Sequence, residues 1–220
     1  MTKRDRIVAE LKRMIREGEL PRGSRIQQDV LAEQFNTSIT PVREAMVLLE
    51  AEGLLVSSPN RGVSIADADI DQVKGVYIQR MLLEPYAMQR ATRRIAHRDI
   101  DIASQLLDRV ENYDPGVETV PLSQLNRQFH FIFYSSCGSE ALTQQVEALW
   151  QRWPWDLLEV IKKRPRSSSD EHRTMLDAVR SGNIDLVADA TKEHLRQSYL
   201  SLTEHITGAV QEDPFLLDVD

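Results

Sequence analysis

Residues 27–63, QQDVLAEQFNTSITPVREAMVLLEAEGLLVSSPNRGV, decide the fold. Val30, Leu31 and Phe35 are spaced as the apolar stripe of a short helix that ends at Asn36. The polar turn Asn36-Thr37-Ser38 follows. A second helix then opens at Thr40-Pro41, where threonine caps and proline at the first helical position forfeits no needed hydrogen bond. Val42, Ala45, Met46, Leu48 and Leu49 give that helix one buried face, and Gly53 stops it. Leu54-Leu55-Val56 and Val63-Ser64-Ile65 flank the turn Ser58-Pro59-Asn60-Arg61-Gly62 and predict a small hairpin. Helix, turn, helix and hairpin in this order predict a winged helix-turn-helix.

Upstream, Thr2 and Asp5 have capping-box spacing, with aspartate in the place of glutamate. Ile7, Val8, Leu11, Met14 and Ile15 then mark one face of a helix that Gly18 ends. Arg22, Arg25, Arg43 and Arg61 come from different elements, and each taken alone reads as a solvated charge. A winged helix places its second helix in the major groove, which turns Arg43 and Arg61 toward DNA. The Ser38 and Thr40 hydroxyls suit phosphate oxygens, and Arg43 suits guanine O6 and N7. Gly62 lets the wing backbone come close to the minor groove. Ile39 cannot hydrogen-bond a base but can pack on a thymine methyl. With Arg25, these residues form the candidate DNA-binding set.

Asp67-Ala68-Asp69 marks the change to long helical patterns, expected at about 69–96, 98–111, 121–137, 139–163, 168–181 and 184–207. Pro85 falls inside the first and is expected to bend it. The expected organisation is a DNA-binding domain over 1–66, an all-α antiparallel bundle over 67–207 and a flexible tail over 208–220. The fold class is mainly α.

The net charge is −7, which by itself argues against a nucleic-acid partner. Its distribution is more informative. Residues 1–62 hold 10 basic and 9 acidic side chains, while 63–220 hold 17 and 25. Only the N-terminal part can meet phosphates without strong repulsion, and there by local placement of arginine rather than bulk charge. No stretch approaches the roughly 18–20 apolar residues of a membrane span, the N-terminus is polar, and Cys137 has no second cysteine to pair with. A cytoplasmic protein with no membrane partner is expected.

Five histidines occur, at 97, 130, 172, 194 and 205. Asn126 and His130, at i and i+4, share a helix face. His172 and His194 lie 10 residues before and 12 after Gly182, which puts them level across an antiparallel helix pair. A bundle interior could thus gather three imidazoles and one amide oxygen, a donor set for Zn²⁺, Ni²⁺ or Fe²⁺-type cations. The alternative is ordinary core or surface histidines, and His97 and His205 are assigned to it. Arg80 reads either as a surface salt bridge to Glu84 or as a guanidinium fork inside the bundle, suited to a carboxylate. Trp150, Trp153 and Trp155 read as core or interface rather than pocket lining. Arg127 and Arg173, beside His130 and His172, either support those histidines or lie at the surface.

The N-terminal motifs resemble the GntR family of bacterial transcription regulators. Ile15 to Ser24 resembles the family's entry into the motif. Leu31-Ala32-Glu33, Thr40-Pro41-Val42-Arg43-Glu44-Ala45, Leu49-Glu50-Ala51-Glu52-Gly53-Leu54 and Arg61-Gly62-Val63 follow in order. One departure is Ser38-Ile39-Thr40-Pro41, where the family usually has Ser-Arg-Thr-Pro. Residues 70 to about 206 resemble the FCD effector domain of the FadR subfamily, through Arg80-Met81-Leu82-Leu83-Glu84, Leu125-Asn126-Arg127-Gln128-Phe129-His130, Glu171-His172-Arg173 and Ala190 to Leu195. That resemblance implies a metal held by Asn126, His130, His172 and His194, with asparagine where aspartate is usual and hence weaker affinity. It also implies an organic acid held by Arg80.

Taken together, these readings describe a homodimeric, effector-responsive repressor of double-stranded operator DNA. The rival reading is a metal-dependent hydrolase or oxygenase built on the bundle, disfavoured because no general base lies at motif spacing.

Overall fold

Thr2 and Asp5 cap each other. The Thr2 amide donates to Asp5 Oδ2 at 3.0 Å and the Asp5 amide donates to Thr2 Oγ1 at 3.1 Å. These bonds satisfy two N–H groups at the start of α1 (Lys3–Arg16) that have no partner within the helix. The computed structural model describes residues 2–16, 18–58, 62–114, 116–155, 157 and 164–216, with side chains for all but 16 and 164–167. By its contacts the chain divides between Asp69 and Ile70 into two units.

In the first unit, α1 is followed by β1 (Arg25–Ile26), α2 (Gln28–Gln34), α3 (Ile39–Ala51), β2 (Leu55–Ser58) and β3 (Gly62–Ile65). The strands form one antiparallel sheet in the order β1-β3-β2, with Ser58 opposite Gly62 in the hairpin. Two residues are too few for a periodicity signal, so β1 is absent from the sequence reading. It exists because Arg25 and Ile26 pair with Ser64 and Val63. Ile7, Leu11, Met14 and Ile15 of α1 pack with Leu31, Val42, Ala45, Met46, Leu49, Leu55 and Ile65 in one core.

Three local expectations need correction. Val30 is 55% exposed and Leu48 is 39% exposed, so α2 and α3 bury narrower stripes than the pattern suggested. Helix α3 begins at Ile39 with Ser38 as its N-cap, so Thr40 and Pro41 sit in its first turn. Pro41 is still tolerated, because first-turn amides have no acceptor within the helix. The other end of α3 matches its reading. Gly53 takes φ +77° and donates to the Glu50 carbonyl, while Leu54 donates to the Leu49 carbonyl. This is the glycine-ended arrangement that ties off the last carbonyls of a helix.

The second unit contains α4 (Ile70–Thr92), α5 (His97–Glu111), α6 (Leu122–Ser135), α7 (Glu140–Arg152), α8 (Arg164–Ser181) and α9 (Ile184–Thr207). Pro85 is buried inside α4 without ending it. Helix α7 stops at Arg152, and Trp153 is extended at φ −76° and ψ 134°. Trp155 and Leu157 are helical again, and the rest of the span expected to 163 lies outside the described residues. Pro154 explains the stop, since the residue before a proline is pushed out of helical geometry. Ser139 caps α7 and Asn183 caps α9 through side-chain oxygens that accept from backbone amides.

Helix α9 packs along α4 and α8, and α5 packs on α6 and α8. Phe129, Phe133, Tyr134, Trp150, Met175 and Leu176 belong to the larger core of the unit, which also holds Cys137, 0% exposed. A second core joins Tyr77, Met81, Trp153, Leu195 and Tyr199. Within the tail expected over 208–220, two residues make contacts with the bundle, while 217–220 lie outside the described residues. Asp213 accepts from the Tyr77 hydroxyl at 3.0 Å, and Phe215 packs on the second core.

Candidate functional site

The first candidate surface is the start of α3. Ile39, Thr40 and Arg43 are exposed along it, with Ser38 exposed at its cap. The Arg43 Nε donates to the Gln28 side-chain oxygen of α2 at 3.3 Å, a contact that limits how far the guanidinium can swing. Arg25 lies exposed on β1, at the edge of the three-stranded sheet. Gly62 has φ +77° with open space where a Cβ would be, a conformation that side-chain-bearing residues rarely adopt. Arg61, expected at the wing tip, lies outside the described residues. Arg22 is turned inward, with Nη1 donating to the Ala66 carbonyl at 3.2 Å. One feature missed by the sequence reading is an open cleft beside the helix-turn-helix turn. It is lined by Lys3, Arg6, Glu10 and Arg13 of α1 and by Asn36 and Thr37. Lys3 and Arg6 read only as the polar face of a helix until the turn is known to lie opposite them.

The second candidate lies inside the bundle. His130 of α6, His172 of α8 and His194 of α9 are all buried, and one ligand nitrogen from each lies within 4.8 Å of the others. Their ring centroids are 4.5 to 5.1 Å apart. Full burial holds the His130 imidazole well below its ordinary pKa, with further lowering by His172, His194 and Arg80. It is therefore neutral at physiological pH, as a metal ligand must be.

Hydrogen bonds fix where the protons sit. The Tyr134 hydroxyl donates to Glu84 Oε2 at 2.6 Å, so toward His130 Nδ1, 3.4 Å away, it can only accept. A proton on Nδ1 leaves the lone pair of His130 on Nε2, which lies 2.9 Å from His172 Nε2. His194 Nδ1 lies 2.8 Å from the Glu171 carboxylate, an arrangement that likewise puts its proton on Nδ1 and its lone pair on Nε2. Two imidazole nitrogens facing each other at 2.9 Å must share a proton or a cation. The donor chemistry fits a divalent transition metal. Asn126 lies one turn before His130 on α6 and is partly buried.

Glu171 and Tyr134 were missed as contributors. Glu171 stood in plain view beside His172, but a carboxylate that serves a histidine 23 residues away on another helix leaves no local signal. His97 and His205 are exposed, away from the cluster. Arg127 pairs with Glu147, and Arg173 pairs with Glu111 at 2.5 Å and Asp108 at 3.5 Å. These are partly exposed ties between helices.

Arg80 forms neither a surface salt bridge nor an unopposed fork. Its side chain is 1% exposed and that of Glu84 0%, with Nε 2.6 Å and Nη2 3.3 Å from the carboxylate oxygens. Glu84 also accepts from Trp150 Nε1 at 3.1 Å and from Tyr134. The pair is buried because α4 carries Arg80 and Glu84 on its inward face beside Tyr77 and Met81. Around the guanidinium stand Trp150, Trp153 and Trp155, with centroids 5.3, 4.8 and 5.2 Å from its carbon. The tryptophans thus build an arginine cage as well as core. The cage adjoins the histidines, since the Trp150 ring lies 5.0 Å from that of His130.

Residues 3–65 match the sequence model of bacterial regulatory proteins of the gntR family, and residues 76–197 match that of the FCD domain. The transcriptional regulator YdhC of Bacillus subtilis is 27% identical over 92% of this chain and 90% of its own length. The transcriptional repressor GlaR of Escherichia coli is 23% identical over 84% and 89%. The solved structure of E. coli McbR/YncC superposes with a TM-score of 0.76 at 24% identity, covering 93% of this chain and 98% of that one.

Proposed function

Because the chain belongs to the gntR family of bacterial regulatory proteins and carries an FCD domain, it is a DNA-binding transcription regulator, and we propose that it is a repressor released from its operator by a small organic acid. Two copies of the chain dock their α3 helices on the half-sites of a near-palindromic operator, since two-fold symmetry in the protein is matched in the DNA. Arg43 reads guanine, Ile39 meets a thymine methyl, and Ser38, Thr40, Arg25, Arg61 and Gly62 hold the backbone and the minor groove. The repressor reading draws on the similarity to GlaR.

His130, His172 and His194, with Asn126 completing the set, hold a divalent transition metal. The metal supplies a fixed positive charge beside the effector site, and the protein's own groups do the positioning. Glu171 orients His194, Tyr134 orients His130, and Arg80 holds the acid's carboxylate. By linkage, an acid that weakens operator binding is itself bound more weakly, by the same factor, when operator is present.

The observation that carries the bundle's part is the convergence of three buried imidazoles from three helices. The test is elemental analysis of purified protein beside the His130→Ala/His172→Ala variant. Near one metal per chain in the wild type, lost in the variant, is the expected result. A wild type that stays metal-free after incubation with Zn²⁺ or Ni²⁺ removes the metal and leaves the DNA-binding assignment in place.

A further inference from the structure

Glu84 neutralises Arg80 but does not use up its donors. Among the described residues, Arg80 Nη1 and Trp153 Nε1 have no hydrogen-bond partner, although the two residues are 1% and 3% exposed. A buried donor left without an acceptor is costly, and here two stand on neighbouring side chains. The two residues touch, because the guanidinium carbon lies 4.8 Å from the Trp153 ring centroid. The surrounding walls are indole faces, with Trp150 and Trp155 4.4 Å apart between ring centroids. Trp153 itself sits in the extended residue between the end of α7 and Pro154, on no helix.

Resting on the effector reading above, we propose that Trp153 is a second ligand donor, and that the cage selects carboxylic acids with a flat, conjugated body. One carboxylate accepts from both Arg80 Nη1 and Trp153 Nε1 and thereby satisfies both buried groups. The rest of the ligand lies against indole faces, which favour an offset-stacked or edge-on planar ring over a puckered one of equal carbon count. Trp153 thus adds a second donor to the carboxylate, Arg80 supplies the charge, and the indole faces select the flat body.

All three tryptophans of the chain belong to this cage, so intrinsic tryptophan emission reports on it alone. The experiment titrates full-length, metal-loaded protein with benzoate and with cyclohexanecarboxylate, which share a carboxylate and a carbon number. Trp153→Phe, which keeps a ring and removes the N–H, is titrated in parallel, with Arg80→Gln as reference. The expected result is at least tenfold tighter binding of benzoate. Trp153→Phe should weaken both acids about tenfold while leaving their ratio near the wild-type value. Equal affinity for the two acids overturns the selection of flat bodies, and it needs no variant to fold. Trp153→Phe within twofold of wild type, with Arg80→Gln inactive, overturns the donor role while the effector reading stands. No response to either acid at millimolar concentration overturns both readings.

Discussion

Arg43 and Arg80 are both held by a neighbouring side chain, yet they follow opposite rules. Arg43 is exposed on α3 and donates to the neutral amide of Gln28, so its charge remains on display. Arg80 is buried in the bundle and is matched at once by Glu84. Water supports the first charge and a carboxylate must support the second, because an uncompensated charge in a low-dielectric interior is far more costly. An exposed arginine such as Arg43 can therefore be exchanged with little effect on the fold. A buried one such as Arg80 is part of the fold.

Glu84→Gln should show the largest effect, a loss of about 3–5 kcal/mol in unfolding free energy by urea titration, because it strands a buried guanidinium. Arg43→Ala in the same assay should cost less than about 0.5 kcal/mol. If both variants fall within 1 kcal/mol of wild type, burial does not separate the two arginines.

Next comes operator affinity. Arg43→Ala should weaken half-site binding by about 1–3 kcal/mol, measured by fluorescence anisotropy on a selected operator, and relax the preference at one base pair. An affinity that drops equally on every sequence would reassign Arg43 to phosphate.

Ile39→Arg sharpens the comparison from the other side by placing a second charge on the exposed face. It should shift selected operators toward guanine at one position per half-site, by roughly tenfold in preference. Recovery of an unchanged site would show that residue 39 does not read bases.

The smallest effect concerns α1. The Thr2 backbone, with help from the Thr2 hydroxyl and Arg4, lowers the Asp5 carboxyl from 3.8 to about 2. A depressed carboxylate contributes stability that is fully present above its unfolded pKa and is lost as pH falls through its folded one. The cap should thus hold at pH 4 and fail as pH approaches about 2. Asp5→Asn should remove that dependence, with the α1 amide signals in an NMR titration as the readout.

How much of this was legible in the sequence follows the same division. The candidate DNA-facing residues Ser38, Ile39, Thr40 and Arg43 lie within one stretch, so turn and helix spacing could propose them, although the start of α3 was misplaced by two residues. The histidines could be brought level only because two helices flank one glycine turn. Their partners could not be found that way. Tyr134 reaches Glu84 across 50 residues of sequence and Trp150 reaches it across 66, through contacts that only the packed bundle creates. Glu84 was visible four residues after Arg80, but whether that pair faced water or core was not. Strand β1 and the docking of Asp213 on Tyr77 were hidden for the same reason, since each depends on its partner rather than on its own pattern.

The one cysteine has a practical consequence. Cys137 is fully enclosed, its carbonyl accepting from Arg90 Nε at 2.9 Å and its sulfur lying 3.5 Å from the Thr143 hydroxyl oxygen. Thiol-reactive dyes should pass it by in the native protein. A cysteine introduced at an open position such as Val117, which is 79% exposed, would then be the single labelled site without mutating Cys137. Paired with fluorescently end-labelled operator, it would let energy transfer test whether the distance from this site to the DNA changes when an acid is added.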